Sequence, residues 1–169
     1  MMIHVCSLAR LHDTVRETGA RHIVTLIKDI ALVHRPPSIL AENHLLLDMD
    51  DINEHIDGYV VPGEAHVGDL LRFVRAWPRE APLVVHCYAG ISRSTAGAFV
   101  TACALNPQRD EKTIARALRG ASPTATPNRR IVALADRMLG RNGRMVMAIE
   151  EIGPGMAAYA TEPFRLDLE

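Results

Sequence analysis

Residues 83–100 read Leu-Val-Val-His-Cys-Tyr-Ala-Gly-Ile-Ser-Arg-Ser-Thr-Ala-Gly-Ala-Phe-Val, and they restrict the fold more tightly than any other stretch of the chain. The short apolar run Leu83-Val84-Val85 suits a buried strand. Ser94 to Val100 suits a helix whose N-terminus faces the turn between them. Within that turn five residues separate Cys87 from Arg93. Five are enough to curl the chain so that successive backbone N–H groups point inward and form an anion nest. Gly90 supplies a position free to take positive φ in that curl. A thiolate is a strong nucleophile and an arginine fork holds two phosphate oxygens at once, so the run brings attacker and phosphate together.

The order strand, His86, Cys87, Gly90, Arg93, Ser94, helix resembles the signature of the cysteine-dependent protein tyrosine phosphatases, in their dual-specificity or small bacterial branch. Arg119 ahead of the helix-opening pair Pro127-Asn128 extends the resemblance, which covers about residues 20–140. It implies a phosphoric monoester hydrolase working through a phosphocysteine on Cys87, with protein phosphotyrosine as the expected substrate. Phosphoserine or phosphothreonine, a phosphoinositide and a small phosphate ester stay open. In such enzymes Arg93 and the amides of Tyr88, Ala89, Gly90, Ile91 and Ser92 bind the phosphate. Ser94 hydrogen-bonds the sulfur and helps it leave, His86 tunes the loop, and Asn128 supports it from the start of its helix.

Relatives also carry an aspartate, some thirty residues before the cysteine, that protonates the leaving oxygen. Here Asp48, Asp50, Asp51 and Asp57 compete. The segment Leu47-Asp48-Met49-Asp50-Asp51-Ile52 reads as a strand ending in an acid, which selects Asp51, with Asp50 and then Asp48 behind it. Asp57-Gly58 reads as a turn.

The remaining sequence predicts how this centre is housed. Ile3–Leu8, Ile23–Ile27 and Leu45–Leu47 read as strands, and Leu11–Thr18 as a helix ended by Gly19. His66–Trp77 places Val67, Leu70, Leu71, Val74 and Trp77 on one helical face. Asp110 and Asn128 are expected to cap two later helices. A further helix over Gly143–Ile152 stops at Gly153-Pro154-Gly155. Residues 153–169 read as a C-terminal tail, and within Ala160–Glu169 alternating Phe164, Leu166 and Leu168 suggest an added strand or a packed segment, with an oligomer contact behind these. The whole predicts an α/β fold with a mostly parallel sheet of four to five strands flanked by helices, a helical C-terminal half, and one catalytic domain over 1–169.

Composition narrows the partners. Net charge is −1 with both signs interspersed, so neither a nucleic-acid footprint nor a membrane-seeking face is expected. The apolar runs are too short to span a bilayer and no signal peptide is evident, which predicts a cytoplasmic protein. Three cysteines make no disulfide framework. Cys103 lies too far along its helix to reach Cys87, whereas Cys6 stays open as a redox partner or a packed core residue. Eight histidines form no metal motif, and the chemistry needs no cofactor. Arg129 and Arg130 stand either as added positive potential beside the pocket or as exposed helix residues. Two other readings of the loop compete: a rhodanese-like sulfurtransferase, and a catalytically silent phosphate-binding module. The Gly-x-x-Arg-Ser tail with an upstream acid favours phosphoryl transfer.

Overall fold

The computed structural model describes residues 1–169. Five strands, β1 (Met2–Ser7), β2 (His22–Leu26), β3 (His44–Leu47), β4 (Leu83–Cys87) and β5 (Phe164–Asp167), form one sheet in the order β3-β2-β4-β1-β5. The first four pair in parallel, and β5 runs antiparallel to β1 at one edge. The helices are α1 (Leu11–Thr18), α2 (Glu64–Ala76), α3 (Arg93–Leu105), α4 (Glu111–Ala121), α5 (Arg129–Met138) and α6 (Arg144–Ile152). No helix is long and apolar enough to cross a membrane.

Alternation along the strands divides the sheet between two cores. Val24, Leu26, Leu83 and Val85 join the larger cluster with α2–α6, while Ile23, Val84 and Cys6 pack with Leu11 and Val15 of α1. β4 is buried at every residue, as a central parallel strand covered on both faces must be. Helix α3 is buried from Ser94 through Cys103, so it runs through the interior rather than along the surface. It lies close to the sheet because residue 97 is glycine: a Cβ there would stand 3.1 Å from Val85 and 3.3 Å from Leu26. The N-terminus of α3 is thereby held directly after the end of the central strand.

Several local expectations hold and a few shift. Gly19 ends α1 in the left-handed conformation at φ 68°, with its N–H on Val15 O. Asp110 caps α4 through Thr113 N, and Asn128 caps α5 through Ile131 N at 3.0 Å. Helix α2 begins at Glu64, two residues earlier than the apolar spacing marked, because polar residues fill its solvent-side first turn. The larger shift concerns the acids. Strand β3 stops at Leu47, so Asp51 does not close a strand; it lies on an irregular, largely exposed segment reaching to Gly63. Past Leu47 the chain pairs with residue 60 instead of with β2: Asp50 N donates to Val60 O at 2.8 Å and the Asp50 carboxylate accepts from Val60 N at 2.7 Å.

Candidate active site

The loop from Cys87 to Arg93 leaves β4 and enters α3 directly. Its shape is set by where its carbonyls go. Tyr88 O accepts from Leu8 N (3.1 Å), Ala89 O from Thr161 N (2.9 Å), Ile91 O from Thr126 N (2.9 Å) and Ser92 O from Asn128 N (3.1 Å). His86 Nδ1 lies 3.3 Å from Cys87 O. All peptides are trans, and a trans peptide points its C=O and N–H in opposite directions. Each carbonyl clamped outward therefore turns the next residue's N–H toward the hollow of the loop. At Gly90 this is explicit: its N–H donates to Cys87 Sγ at 3.2 Å. Gly90 takes φ 75°, and a Cβ there would stand 2.8 Å from the Cys6 backbone, so two constraints exclude a larger residue.

Around the sulfur the remaining groups converge. Ser94 Oγ is 3.2 Å from Cys87 Sγ, close enough for its hydroxyl to donate to an ionised sulfur. Arg93 fastens one guanidinium nitrogen to Met49 O at 2.8 Å, whereas its Nε is buried with no partner. A buried charged donor without an acceptor is costly unless an anion takes it.

The four aspartates separate cleanly. Asp51 Oδ1 accepts from Ser92 Oγ at 2.7 Å and from Asn128 Nδ2 at 2.9 Å, which brings this carboxylate alone onto the loop. Both bonds fall on Oδ1 and leave Oδ2 free to carry a proton. Asp50 closes the 50–60 loop, Asp48 lies 4.0 Å from Lys28 Nζ, and Asp57 meets exposed His55 beside Gly58 in a turn. Neither arginine after Asn128 is free: Arg129 pairs with Glu150 at 2.7 Å, and Arg130 donates to Pro62 O at 2.6 Å. Arg119 ties Ala125 O to Ile152 O and Gly153 O, fixing the turn that presents Thr126 and Asn128 to the loop.

Behind Cys87 lies a polar chain that no motif announced. Thr25 Oγ1 stands 2.6 Å from His86 Nε2 and 2.8 Å from His44 Nε2, all three residues buried. Cys87 O is an acceptor, so His86 presents Nδ1–H to it and its Nε2 accepts from Thr25. The Thr25 oxygen in turn accepts from His44 Nε2–H, which leaves His44 Nδ1 as a bare lone pair; that atom indeed has no partner. Burial lowers both imidazoles to about 4, helped at His86 by the positive charge of Arg93 and at His44 by that of Arg35. Both are neutral near pH 7, as this chain of donors requires. Burial pushes the thiols of Cys6 and Cys103 up to about 12, so both stay protonated near pH 7.

A single sequence gives little hint of Thr25, His44, Thr126 or Thr161. Thr25 and His44 act on the loop across the sheet and Thr126 and Thr161 through backbone N–H groups, and only Thr126 lies near a recognised pair. Their one visible trace is the polar Thr25 and His44 within otherwise apolar strands.

The geometry agrees with what the chain is similar to. Residues 57–121 match the family model of protein-tyrosine phosphatase. No curated protein sequence matches the chain significantly. Among solved structures, PTP-2 phosphatase of Cydia pomonella is similar at 20% identity with a TM-score of 0.63, covering 80% of this chain and 84% of that one. DUSP15 is similar at 19% identity with a TM-score of 0.61, covering 88% and 90%. The human tyrosine phosphatase-like serine/threonine/tyrosine-interacting protein is similar at 17% identity with a TM-score of 0.62, covering 83% and 92%. The loop from Cys87 to Arg93 lies inside the segment that matches the protein-tyrosine phosphatase model, and the fold is shared with these solved phosphatase structures over most of the chain.

Proposed function

We propose that the protein hydrolyses phosphate monoesters, with protein phosphotyrosine as substrate, through a phosphocysteine on Cys87. The observation that carries this reading is the convergence on one hollow of the Cys87 sulfur, the N–H groups turned inward by the clamped carbonyls, and the unpartnered Nε of Arg93. That arrangement suits a dianion held against a nucleophile, and it supports charge spread over the equatorial oxygens during in-line transfer.

In the first step the Cys87 thiolate attacks phosphorus and the P–O bond to the leaving group breaks. The proton on Asp51 Oδ2 passes to the departing oxygen, giving a neutral alcohol. In the second step water attacks phosphorus, Asp51 takes back a proton, and the P–S bond breaks. The Ser94 hydroxyl stabilises the returning thiolate, and inorganic phosphate leaves. Ser92 and Asn128 hold the Asp51 carboxylate over the loop through both steps. His86 acts on the loop through the Cys87 carbonyl without reaching substrate.

The test is release of phosphate from p-nitrophenyl phosphate and from a phosphotyrosyl peptide, by the wild type and by Cys87→Ser. Loss of turnover in the variant with retained peptide binding is expected. Unchanged phosphate release by Cys87→Ser overturns the mechanism, and thiocyanate formed from thiosulfate in place of phosphate overturns the activity.

A further inference from the structure

The C-terminal segment after α6 does more than close the edge of the sheet. Residues 153–163 cross from the end of α6 to β5 and on the way touch the phosphate loop. Gly155 seats against Pro123 and Thr124, where a Cβ would lie within 2.7 Å of backbone atoms, and Met156 N donates to Pro123 O at 2.9 Å. The chain then arches outward through exposed Ala157–Ala160 and returns at Thr161, which is buried. Glu162 meets Arg10 at 3.0 Å, and β5 pairs with β1 while Leu166 and Leu168 enter the core. Thr161 is thus fixed from both sides, at the one point where this segment reaches the loop.

The contact it makes there is specific. Thr161 N–H donates to Ala89 O at 2.9 Å, and the N–H of the same peptide unit, that of Gly90, donates to Cys87 Sγ at 3.2 Å. One rigid plane joins the two bonds, because the amide does not rotate about its C–N bond. The Thr161 methyl occupies the space a residue-90 side chain would need: a Cβ on Gly90 would come within 2.5 Å of Thr161 Cγ2. Thr161 Oγ1 lies 3.3 Å from Ser122 Oγ and donates to Glu162 O at 3.0 Å, so the side chain is anchored as well. Glycine at 90 frees the peptide to rotate, and Thr161 removes that freedom.

We propose that Thr161 is a positioning residue for the nucleophile: its backbone N–H sets the Ala89–Gly90 peptide so that Gly90 N–H meets the Cys87 sulfur. The C-terminal segment is on this reading part of the catalytic apparatus. A hydrogen-bond donor aimed at the sulfur favours its ionised form, so the tail raises the fraction of thiolate at a given pH. This rests on the phosphatase reading only in taking Cys87 as the nucleophile.

An amide-to-ester exchange at Thr161 removes the one N–H and keeps the side chain. Residue 161 is near enough to the C-terminus for semisynthesis, joining the chain at exposed Ala158 through selenocysteine and deselenising it to the native alanine. The measurement is the pH dependence of Cys87 alkylation by iodoacetate, read by mass at that residue beside the all-amide semisynthetic chain. Alkylation counts thiolate without turnover, so it tests the tail even in a chain that proves not to be a phosphatase. The ester is expected to move the alkylation midpoint upward by about one pH unit, and to lower phosphate release below that midpoint about tenfold. An unmoved midpoint in a folded ester chain overturns the proposal, whatever happens to thermal stability. Should the ester chain not fold, the unmodified protein decides: the amide resonances of Gly90 and Thr161 are expected to shift with the same pH midpoint as Cys87 alkylation. A Thr161 amide that stays still while Gly90 titrates overturns the idea.

Discussion

The loop of Cys87–Arg93 and the loop of Asp48–Gly63 face each other across the site, and they are built in opposite ways. The first has its carbonyls clamped by Leu8, by Thr126 and Asn128, and by Thr161, three segments far apart in sequence, and its interior end is buried. The second is exposed from Asp51 to Tyr59 apart from Ile52, and it hangs on side-chain bonds from Ser92, Arg93, Asn128 and Arg130 with one backbone pairing of Asp50 and Val60. The difference matches the tasks proposed for them. Donors that stabilise transferred phosphoryl charge work best when nothing has to reorganise, whereas an acid must exchange its proton with substrate and then with water.

If the clamped loop supplies most of the rate, damage there costs most. Arg93→Lys keeps the charge and loses the fork, and kcat/KM toward a phosphotyrosyl peptide is expected to fall about 10³-fold, a near-normal value removing the guanidinium from the mechanism. On the acid loop the expected loss is smaller. Asp51→Asn should cost about 10²-fold on an alkyl or phenyl phosphate and far less on a leaving group that needs no proton, with the basic limb of the pH profile lost. The same profile for Asp50→Asn sharpens the contrast, since that carboxylate closes its loop and should leave the basic limb in place; a reversed pattern would transfer the acid's role to Asp50.

The polar chain beneath the clamped loop gives a third comparison, in stability. Thr25→Val leaves two buried imidazole nitrogens without a partner, and chemical denaturation at pH 7 should show a loss of about 2–4 kcal/mol at constant m-value. An unchanged midpoint would mean that the two histidines find other partners. The last comparison concerns acid. His44 and His86 have folded values lowered to about 4 against 6.5 unfolded, so the unfolded chain binds protons first. Stability is full above pH 6.5, declines as pH falls toward 4, and levels off below, with up to about 3 kcal/mol from each imidazole. His44→Gln should flatten part of that slope; a wild-type slope unaffected by this change would assign the acid sensitivity to other groups.

Legibility followed the range of the interactions. Cys87, Gly90, Arg93 and Ser94 stand within one strand-loop-helix unit whose geometry is local, so their spacing carried the chemistry, and Asn128 declared itself as a cap beside a proline. The proposed acid was harder. Asp48, Asp50 and Asp51 look alike in a row, and the expected strand through them ends at Leu47. Only the placement of Ser92 and Asn128 against one carboxylate singles out Asp51. The tail was readable as a strand from its alternation, but its hold on Ala89 was not, because a backbone N–H is the same in every residue except proline.

What the sequence by itself determined is the nature of the centre: a thiol and a guanidinium around an anion-sized loop, set between a buried strand and a buried helix. Periodicity and apolar runs carried that much because burial of side chains drives both elements. The tertiary structure alone decided which peptide planes turn their N–H groups inward, which of three neighbouring carboxylates reaches the loop, and that a threonine near the C-terminus adjoins the nucleophile. Those outcomes depend on hydrogen bonds between segments distant in sequence, whose partners exist only once the sheet and its helices have been packed.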